Sequence, residues 1–125
     1  MPKPIAFIDL ENVGNLNKVN LSLYAHAVIF VGPTQKHIHC GVGHDHPLPI
    51  TLIKIQQRQR NNLDFHLAYY LGLYDQCFCR YRCFEVISSD NGFAPLIEHV
   101  GNNGRQCKQV TLKCELAAQQ SISAA

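Results

Sequence analysis

Three aspartates lie where a carboxylate can do chemistry, at Asp9, Asp64 and Asp90. Asp9 follows the apolar run 5–8, and Asp90 comes shortly after the apolar run that ends at Ile87. Both are therefore predicted at the C-terminal ends of buried strands, which is where α/β sheets bind ligands. Asp64 lies in the first turn of a predicted helix, where the helix dipole favours an acid. The dipole explains one such acid, but not three at corresponding places.

Three carboxylates that meet at one rim of a sheet repel one another unless a cation lies between them. Their hard oxygen atoms suit Mg²⁺ or Mn²⁺, and such an ion can activate water and stabilise charge on a phosphoryl group. The sequence has no Walker glycine loop, no G-x-G-x-x-G motif and no serine or cysteine nucleophile with a local signature. These patterns favour a divalent-metal site over a nucleotide-cofactor site or a covalent one.

The elements that would position the aspartates alternate along the chain. Short apolar runs predict five strands, near 5–8, 25–31, 50–55, 84–87 and 107–112. Apolar spacing predicts a short helix over 16–23, a longer helix that Asn61-Asn62 introduce and whose apolar positions run from Leu63 to Tyr74, and a helix over 93–100 with Pro95 in its first turn. This order indicates an α/β three-layer sandwich, with a mostly parallel five-strand sheet flanked by helices.

The 125 residues are 46% hydrophobic and 16% charged, which predicts one globular domain over 1–125 with a frayed tail at 115–125. The net charge of +2 is too small to identify a polyanionic partner by itself. No apolar run is long enough for a membrane span or a signal peptide, so we expect a cytoplasmic protein without a membrane partner. Six cysteines without a secretory context are expected to be reduced.

A segment rich in histidine at 37–46 leaves a zinc site open as an alternative. It contains His37, His39, Cys40, His44 and His46. Their spacing matches no zinc finger or helical histidine pair, so the segment is also consistent with a solvated loop.

The segments around the three aspartates resemble NYN domains, which belong to the PIN-like nuclease superfamily. F-I-D-L-E-N-V at 7–13 is similar to the D-x-x-N strand of that family, and N-N-L-D-F-H-L-A at 61–68 resembles its central aspartate at a helix start. I-S-S-D-N-G-F-A-P-L-I at 87–97 resembles its S-x-D-x-D-F-x-P-L-I segment. F-V-G-P-T-Q-K at 30–36 is similar to the second strand and turn of bacterial PIN-like proteins. The similarity extends from about Pro4 to Leu112.

This resemblance implies a metal-dependent endoribonuclease, in a family in which some members cut DNA flaps. By position, Asp9, Asp64 and Asp90 would bind Mg²⁺ or Mn²⁺ and carry the catalysis. Asn12 would hold a carboxylate or a water molecule in place, and Ser89 would contact a phosphate or support the metal ligands. RNA is the expected partner rather than DNA, and a homodimer stays open.

Arg58 and Arg60 lie in a polar segment just before Asp64. They are candidate phosphate contacts beside the site, and a solvated loop is an equal alternative.

One position departs from the family pattern, because Gly92 occurs where the family has a second aspartate. A PIN-like subgroup with K-D-K-G-[FY] at this place has the same feature, and Glu11 is a candidate replacement for the missing acid. The departure leaves open a second hypothesis, a nucleic-acid-binding or regulatory PIN-like module that has lost catalysis. A third hypothesis is a zinc-binding interaction protein built on the 37–46 segment.

Overall fold

The computed structural model describes residues 2–35, 48–56 and 62–112. Within these ranges one sheet is formed by the strands β1 to β5, in the order β3-β2-β1-β4-β5 with every neighbouring pair parallel. The strands are Ile5–Asp9 (β1), His26–Val31 (β2), Ile50–Lys54 (β3), Phe84–Ile87 (β4) and Cys107–Val110 (β5). The predicted five-strand sheet is confirmed, and its described part is entirely parallel.

In the described part of the chain, three α-helices accompany the sheet: Leu10–Val13 (α1), Asn62–Cys77 (α2) and Ala94–Asn102 (α3). Short 3₁₀ turns lie at Leu16–Lys18, Leu21–Leu23 and Asn91–Phe93. No helix of the described residues is long and apolar enough to cross a membrane.

The sheet has a separate apolar core on each face, because successive side chains of a strand point to opposite sides. Ile5 and Phe7 belong to the core beneath α2 and α3, whereas Ala6 and Ile8 belong to the core beneath α1 and the first two 3₁₀ turns. All five residues of β1 are buried, as expected for a central strand covered on both faces. The predicted three-layer α/β sandwich is confirmed.

The prediction of one amphipathic helix over 16–23 is wrong, because two separate 3₁₀ turns occupy this segment. Val19 is extended between them, with φ −110° and ψ 127°. The side chain of Asn20 accepts a hydrogen bond from the backbone N–H of Ser22 and so caps a new turn. A side chain that bonds the local backbone competes with the continuing helix, which explains the break.

Some sequence predictions fall outside the described residues. They concern the 37–46 segment, Arg58, Arg60, Cys40, Cys114 and the 115–125 tail. The four described cysteines are free, namely Cys77, Cys79, Cys83 and Cys107. The expectation that the thiols are reduced stays a prediction.

The chain leaves β1 in one direction to build β2 and β3, and later builds β4 and β5 on the other side of β1. The strand order therefore reverses between β1 and β4. At such a point the connections at the carboxyl ends diverge, which opens a crevice where α/β proteins bind ligands.

Candidate active site

Asp9 is the last residue of β1 and lies at the crevice between β1 and β4, with only 5% of its surface exposed. One carboxylate oxygen, Oδ1, accepts a hydrogen bond from the backbone N–H of Asn12 at 3.2 Å. The other, Oδ2, accepts one from the hydroxyl of Ser88 at 3.0 Å. Burial raises the pKa of Asp9, and these two hydrogen bonds oppose the rise. Asp9 is thus a buried acid held in one orientation by its own helix and by the neighbouring strand.

Asp90 lies in the loop that follows β4 and caps the 3₁₀ turn ahead of α3. Its Oδ1 accepts a hydrogen bond from the backbone N–H of Gly92 at 2.9 Å, and its own backbone N–H donates to Ser88 Oγ at 3.1 Å. Ser88 therefore contacts both Asp9 and Asp90, and its hydroxyl sets the spacing between the two acids.

Asp64 lies in the first turn of α2 and completes the group. Burial is the largest cause that raises the pKa of Asp64 to about 6, and the negative charges of Asp90 and Asp9 follow. A hydrogen bond with the Asp90 side chain acts in the same direction, because it favours the protonated carboxyl. The structure thus brings together all three aspartates that the sequence singled out, at one rim of the sheet.

The acids have no basic partner among the described residues, whose ion pairs involve only Asp75 and Glu85 as acids. No three His, Cys, Asp or Glu side chains of the described residues already surround a position for a metal ion. Instead, a side-chain hydrogen bond between Asp64 and Asp90 links two of the acids. The donor set consists of carboxylate oxygens, which fits a hard divalent cation rather than zinc in a sulfur or nitrogen site.

Asn12 and Ser89 lie beside the acids and bind to each other. Asn12 Oδ1 accepts hydrogen bonds from the backbone N–H of Ser89 at 2.9 Å and from its hydroxyl at 2.8 Å. Asn12 contacts Asp9 through its backbone N–H, whereas its side chain fastens α1 to the loop after β4. The Asn12 side chain thus connects α1 with the loop after β4, and the expectation that it holds a carboxylate or a water molecule in place stays a prediction.

Sequence reasoning missed two residues that shape the site, Ser88 and Gln109. The side-chain amide of Gln109 donates to the carbonyl oxygens of Ser88 and Asp90, at 2.6 and 2.9 Å. A signal for Gln109 was its polar side chain within a predicted strand, and a signal for Ser88 was its position two residues before Asp90. Together they fix the backbone that carries Asp90.

Glu11 is a fourth acid at this rim, and its charge adds to the pKa rise of both Asp9 and Asp64. Its side chain lies against Gly32, where an added Cβ would come within 2.9 Å of Glu11 Oε2. The absence of a side chain at position 32 therefore leaves room for the Glu11 carboxylate on the β2 side of the crevice.

A family model described as PIN domain matches residues 3–110. The chain belongs to the PIN domain family. No curated protein and no solved structure gives a significant match to this PIN domain. The family assignment agrees with the parallel sheet and with acids at its carboxyl rim, and it confirms the PIN-like part of the sequence resemblance.

PIN domains are generally nucleases, they typically use divalent metals, and they interact with nucleic acid. In this PIN domain, the only described rim with several acids and no paired base is the one formed by Asp9, Asp64 and Asp90. That rim is the candidate site for nuclease chemistry.

Proposed function

We propose that this PIN domain is a metal-dependent endoribonuclease of the NYN type, with Asp9, Asp64 and Asp90 as the ligands of Mg²⁺ or Mn²⁺. The observation that carries the proposal is that burial and two neighbouring carboxylates raise the pKa of Asp64, while no basic side chain of the described residues forms an ion pair with these three acids. Such an arrangement is unfavourable for folding, because like charges repel and burial disfavours each carboxylate. A divalent cation relieves both penalties at once.

The residues of the site divide the work of binding and orientation. Ser88 and the backbone of Asn12 hold Asp9 in place, and Gly92 fixes one oxygen of Asp90. A cation held by these acids would favour the ionised form of Asp64, whose pKa is raised by burial, by the charges of Asp90 and Asp9 and by its hydrogen bond with Asp90. A bound divalent ion supplies the charge that polarises a phosphoryl group and lowers the pKa of a water molecule.

The substrate side of the proposal uses neighbouring polar residues. Asn12 and Ser89 lie beside the acids, and the side-chain NH2 group of Asn12 can donate to a phosphate or ribose oxygen, whereas the Ser89 hydroxyl donates to Asn12 and can accept from a ribose hydroxyl. Arg58 and Arg60, whose positions lie outside the described residues, are proposed as phosphate contacts just before Asp64 in the sequence. Arg58→Ala should weaken RNA binding and lower its salt dependence, while metal binding is unchanged.

A second candidate is a binding module without catalysis, and Gly92 favours it. An added Cβ at this position would lie 3.2 Å from Asp90 Oδ1, so a family-type aspartate here would stand directly against Asp90. Without that acid the site has fewer ligands for a second ion. Gly92→Asp should strengthen metal binding if the missing acid limits the site.

Cleavage of a generic single-stranded RNA in Mn²⁺ and in Mg²⁺ tests the proposal, for the wild type, Asp64→Asn and Asp90→Asn. Glu98→Gln is a control, because Glu98 is an exposed acid on α3 away from the three aspartates. Weak cleavage by the wild type and by Glu98→Gln, with loss in both aspartate variants, is the expected result. Equal cleavage by Asp64→Asn would assign the activity to a contaminant. RNA binding without cleavage in either metal would favour the binding module.

A further inference from the structure

The outward side of α2 carries large apolar side chains that the core does not use. Phe65 is 71% exposed, Tyr69 is 66% exposed and Leu73 is 45% exposed. They are spaced at i, i+4 and i+8, so they form one strip along the helix, which we call the outer strip. The side of α2 that packs on the sheet is formed by other residues, namely Leu63, Leu67 and Leu71.

The ring of Tyr69 is held in place from the core side. It meets the ring of Tyr70 edge-on, with centroids 5.2 Å apart and an interplanar angle of 89°. Tyr70 in turn packs against the buried Phe30, with centroids 5.9 Å apart. A braced and exposed aromatic ring offers a flat face at low entropic cost, which suits a stacking partner.

The outer strip is too small for a stable protein interface. Fully buried aromatic side chains cover about 150–250 Å² each, so the exposed parts of the three residues offer on the order of 400 Å². A typical stable dimer needs roughly 800 Å² from each partner. The strip has the size of one or two stacked bases instead.

The outer strip begins beside the acidic site. Phe65 directly follows Asp64, and no further acid occurs in α2 before Asp75, eleven positions on. On the flank between Asp64 and the strip lie Ala68 and Gly72, and an added Cβ at Gly72 would meet no atom within 4 Å. A polyanion at the acids can therefore continue along α2 without meeting either negative charge or side-chain bulk.

We propose that Phe65 and Tyr69 stack on two unpaired bases of a single-stranded nucleic acid, next to the nucleotide whose phosphate lies at the three aspartates. The location of the cut relative to the bases rests on the proposed function, but the stacking does not. Base–aromatic stacking tolerates any sequence, because every base has a π face. The rings of Phe65 and Tyr69 thus give this PIN domain affinity for unpaired strands with little sequence preference.

Binding of a fluorescent single-stranded RNA of about 12 nucleotides, measured by anisotropy in a chelator, tests the stacking without cleavage. Phe65→Ala and Tyr69→Ala should each weaken binding by about tenfold. Leu73→Ala and Tyr81→Ala should bind like the wild type. Leu73 lies further along the same strip, and Tyr81 is an 84% exposed aromatic residue beyond the opposite end of α2. The circular dichroism spectrum of each variant verifies that it is folded.

Two further measurements separate stacking from general apolar contact. Tyr69→Leu keeps apolar surface but no ring face, so it should bind as weakly as Tyr69→Ala, whereas Tyr69→Phe should bind like the wild type. A strand of the same length that lacks all of its bases should bind the wild type and Tyr69→Ala with equal affinity, since the Tyr69 ring then has no base to stack on. The sequence contains no tryptophan, so Tyr69→Trp adds a single fluorophore, and stacked bases should quench it.

Unchanged RNA affinity in Phe65→Ala and Tyr69→Ala would overturn the proposal, as would full affinity in Tyr69→Leu. A wild-type dimer in sedimentation that both alanine variants dissociate would also overturn it, because the outer strip would then be a contact between two copies. Loss of cleavage in Asp64→Asn with normal binding by the alanine variants would reject the stacking alone. Weak binding by the alanine variants in a protein that never cuts RNA would reject the nuclease and keep the stacking.

Discussion

The two ends of α2 differ in whether their charged side chains have partners of opposite charge. Beyond the C-terminal end, the guanidinium of Arg105 is completely buried and lies 4.4 Å from the centre of the Phe84 ring. Its five N–H groups meet Asp75 Oδ1 and four backbone carbonyl oxygens, those of Asp75, Phe78, Cys79 and Arg82. At the N-terminal end, Asp64 faces Asp90 and Asp9, and no described basic side chain forms an ion pair with them.

The charges at the Arg105 end stabilise the fold, whereas the acids at the other end are suited to bind a ligand. A buried cation is tolerable only when all of its donors have partners, and Arg105 meets that requirement while it caps the last carbonyl groups of α2. Uncompensated acids are unfavourable, and a strongly shifted pKa that arises in a cleft indicates a functional site. Substitutions at the Arg105 end should therefore destabilise the protein, whereas neutralising an acid at the other end should stabilise it.

The largest effect is expected at the Arg105 end. Arg105→Ala should lower the free energy of unfolding by about 3–5 kcal/mol, because it leaves Asp75 and four carbonyl oxygens without their shared partner. Arg105→Lys should recover little, since an ammonium group cannot reproduce the planar fork of five donors. Urea denaturation followed by circular dichroism measures both changes.

Arg80→Ala is the control for that prediction. Arg80 also pairs with Asp75, at 2.9 Å, but half of its side chain is exposed. Its loss should cost less than about 1 kcal/mol. Similar losses in Arg80→Ala and Arg105→Ala would mean that burial and full hydrogen bonding at Arg105 contribute nothing special, and the contrast between the two ends would fail.

At the acidic end, Ser88 has the supporting role that Arg105 has at the other. Ser88→Ala removes the hydroxyl that donates to Asp9 and accepts from the backbone of Asp90, and leaves two buried groups without a partner. The free energy of unfolding should fall by about 1–3 kcal/mol. Affinity for Mn²⁺ should fall by about 10–100-fold, because the acids lose their relative orientation.

The neighbouring Ser89→Ala is a matched control, measured by the same denaturation and by calorimetric titration with Mn²⁺. Ser89 also donates a hydroxyl hydrogen bond, but to the exposed Asn12. It should lose at most about 1 kcal/mol, with little change in metal affinity. Equal effects at both positions would mean that the hydroxyl of Ser88 does not organise the acids.

Asp64→Asn should change stability in the opposite direction. Without metal, the variant should be more stable than the wild type by about 1 kcal/mol at neutral pH, since it removes a carboxylate that burial disfavours and that two neighbouring carboxylates repel, in a partly solvated site. It should also lose the rise in melting temperature that Mn²⁺ gives the wild type. Thermal unfolding in chelator and in Mn²⁺ measures both, and a variant that is less stable in chelator would contradict the prediction.

The pH dependence of stability checks the cause of that difference. Asp64 has a raised pKa, about 6 in the folded protein against 3.8 ordinarily, so its contribution to stability is fully present below 3.8 and is lost as the pH rises through 6. The wild type and Asp64→Asn should therefore have similar stability near the ordinary pKa of 3.8 and differ most above 6. The acids that act on this titration are Asp90, Asp9 and Glu11. A difference that does not change with pH would mean that the ionisation of Asp64 is not its source.

The sequence predicted the acidic end far better than the Arg105 end. Asp9 and Asp90 could be placed because short apolar runs mark strands and parallel strands share a carboxyl rim. Arg105 gave no such signal. Its five acceptors lie at the end of α2 and in the loop that follows, and only folding brings Arg105 close to them. Ser88 was missed for the same reason, since its partner Asp9 is 79 positions away. The helix predicted over 16–23 was wrong because the spacing of apolar residues carries no information on side chains that cap a new turn.

The smallest effect is expected midway along α2, at Gly72. This glycine is exposed within the helix, and a methyl group there would meet nothing within 4 Å. Gly72→Ala should raise the free energy of unfolding by about 0.5–1 kcal/mol, because glycine loses more backbone freedom on folding than alanine does. It lies two turns from Asp64 and contacts none of the groups around Arg105, so the gain should add to that of Asp64→Asn within about 0.5 kcal/mol. The check is urea denaturation of the two single variants and the double variant in chelator. A larger deviation from additivity would mean that the charge at the N-terminal end of α2 is coupled through the helix to its middle turns, and that the two contributions to stability are not independent.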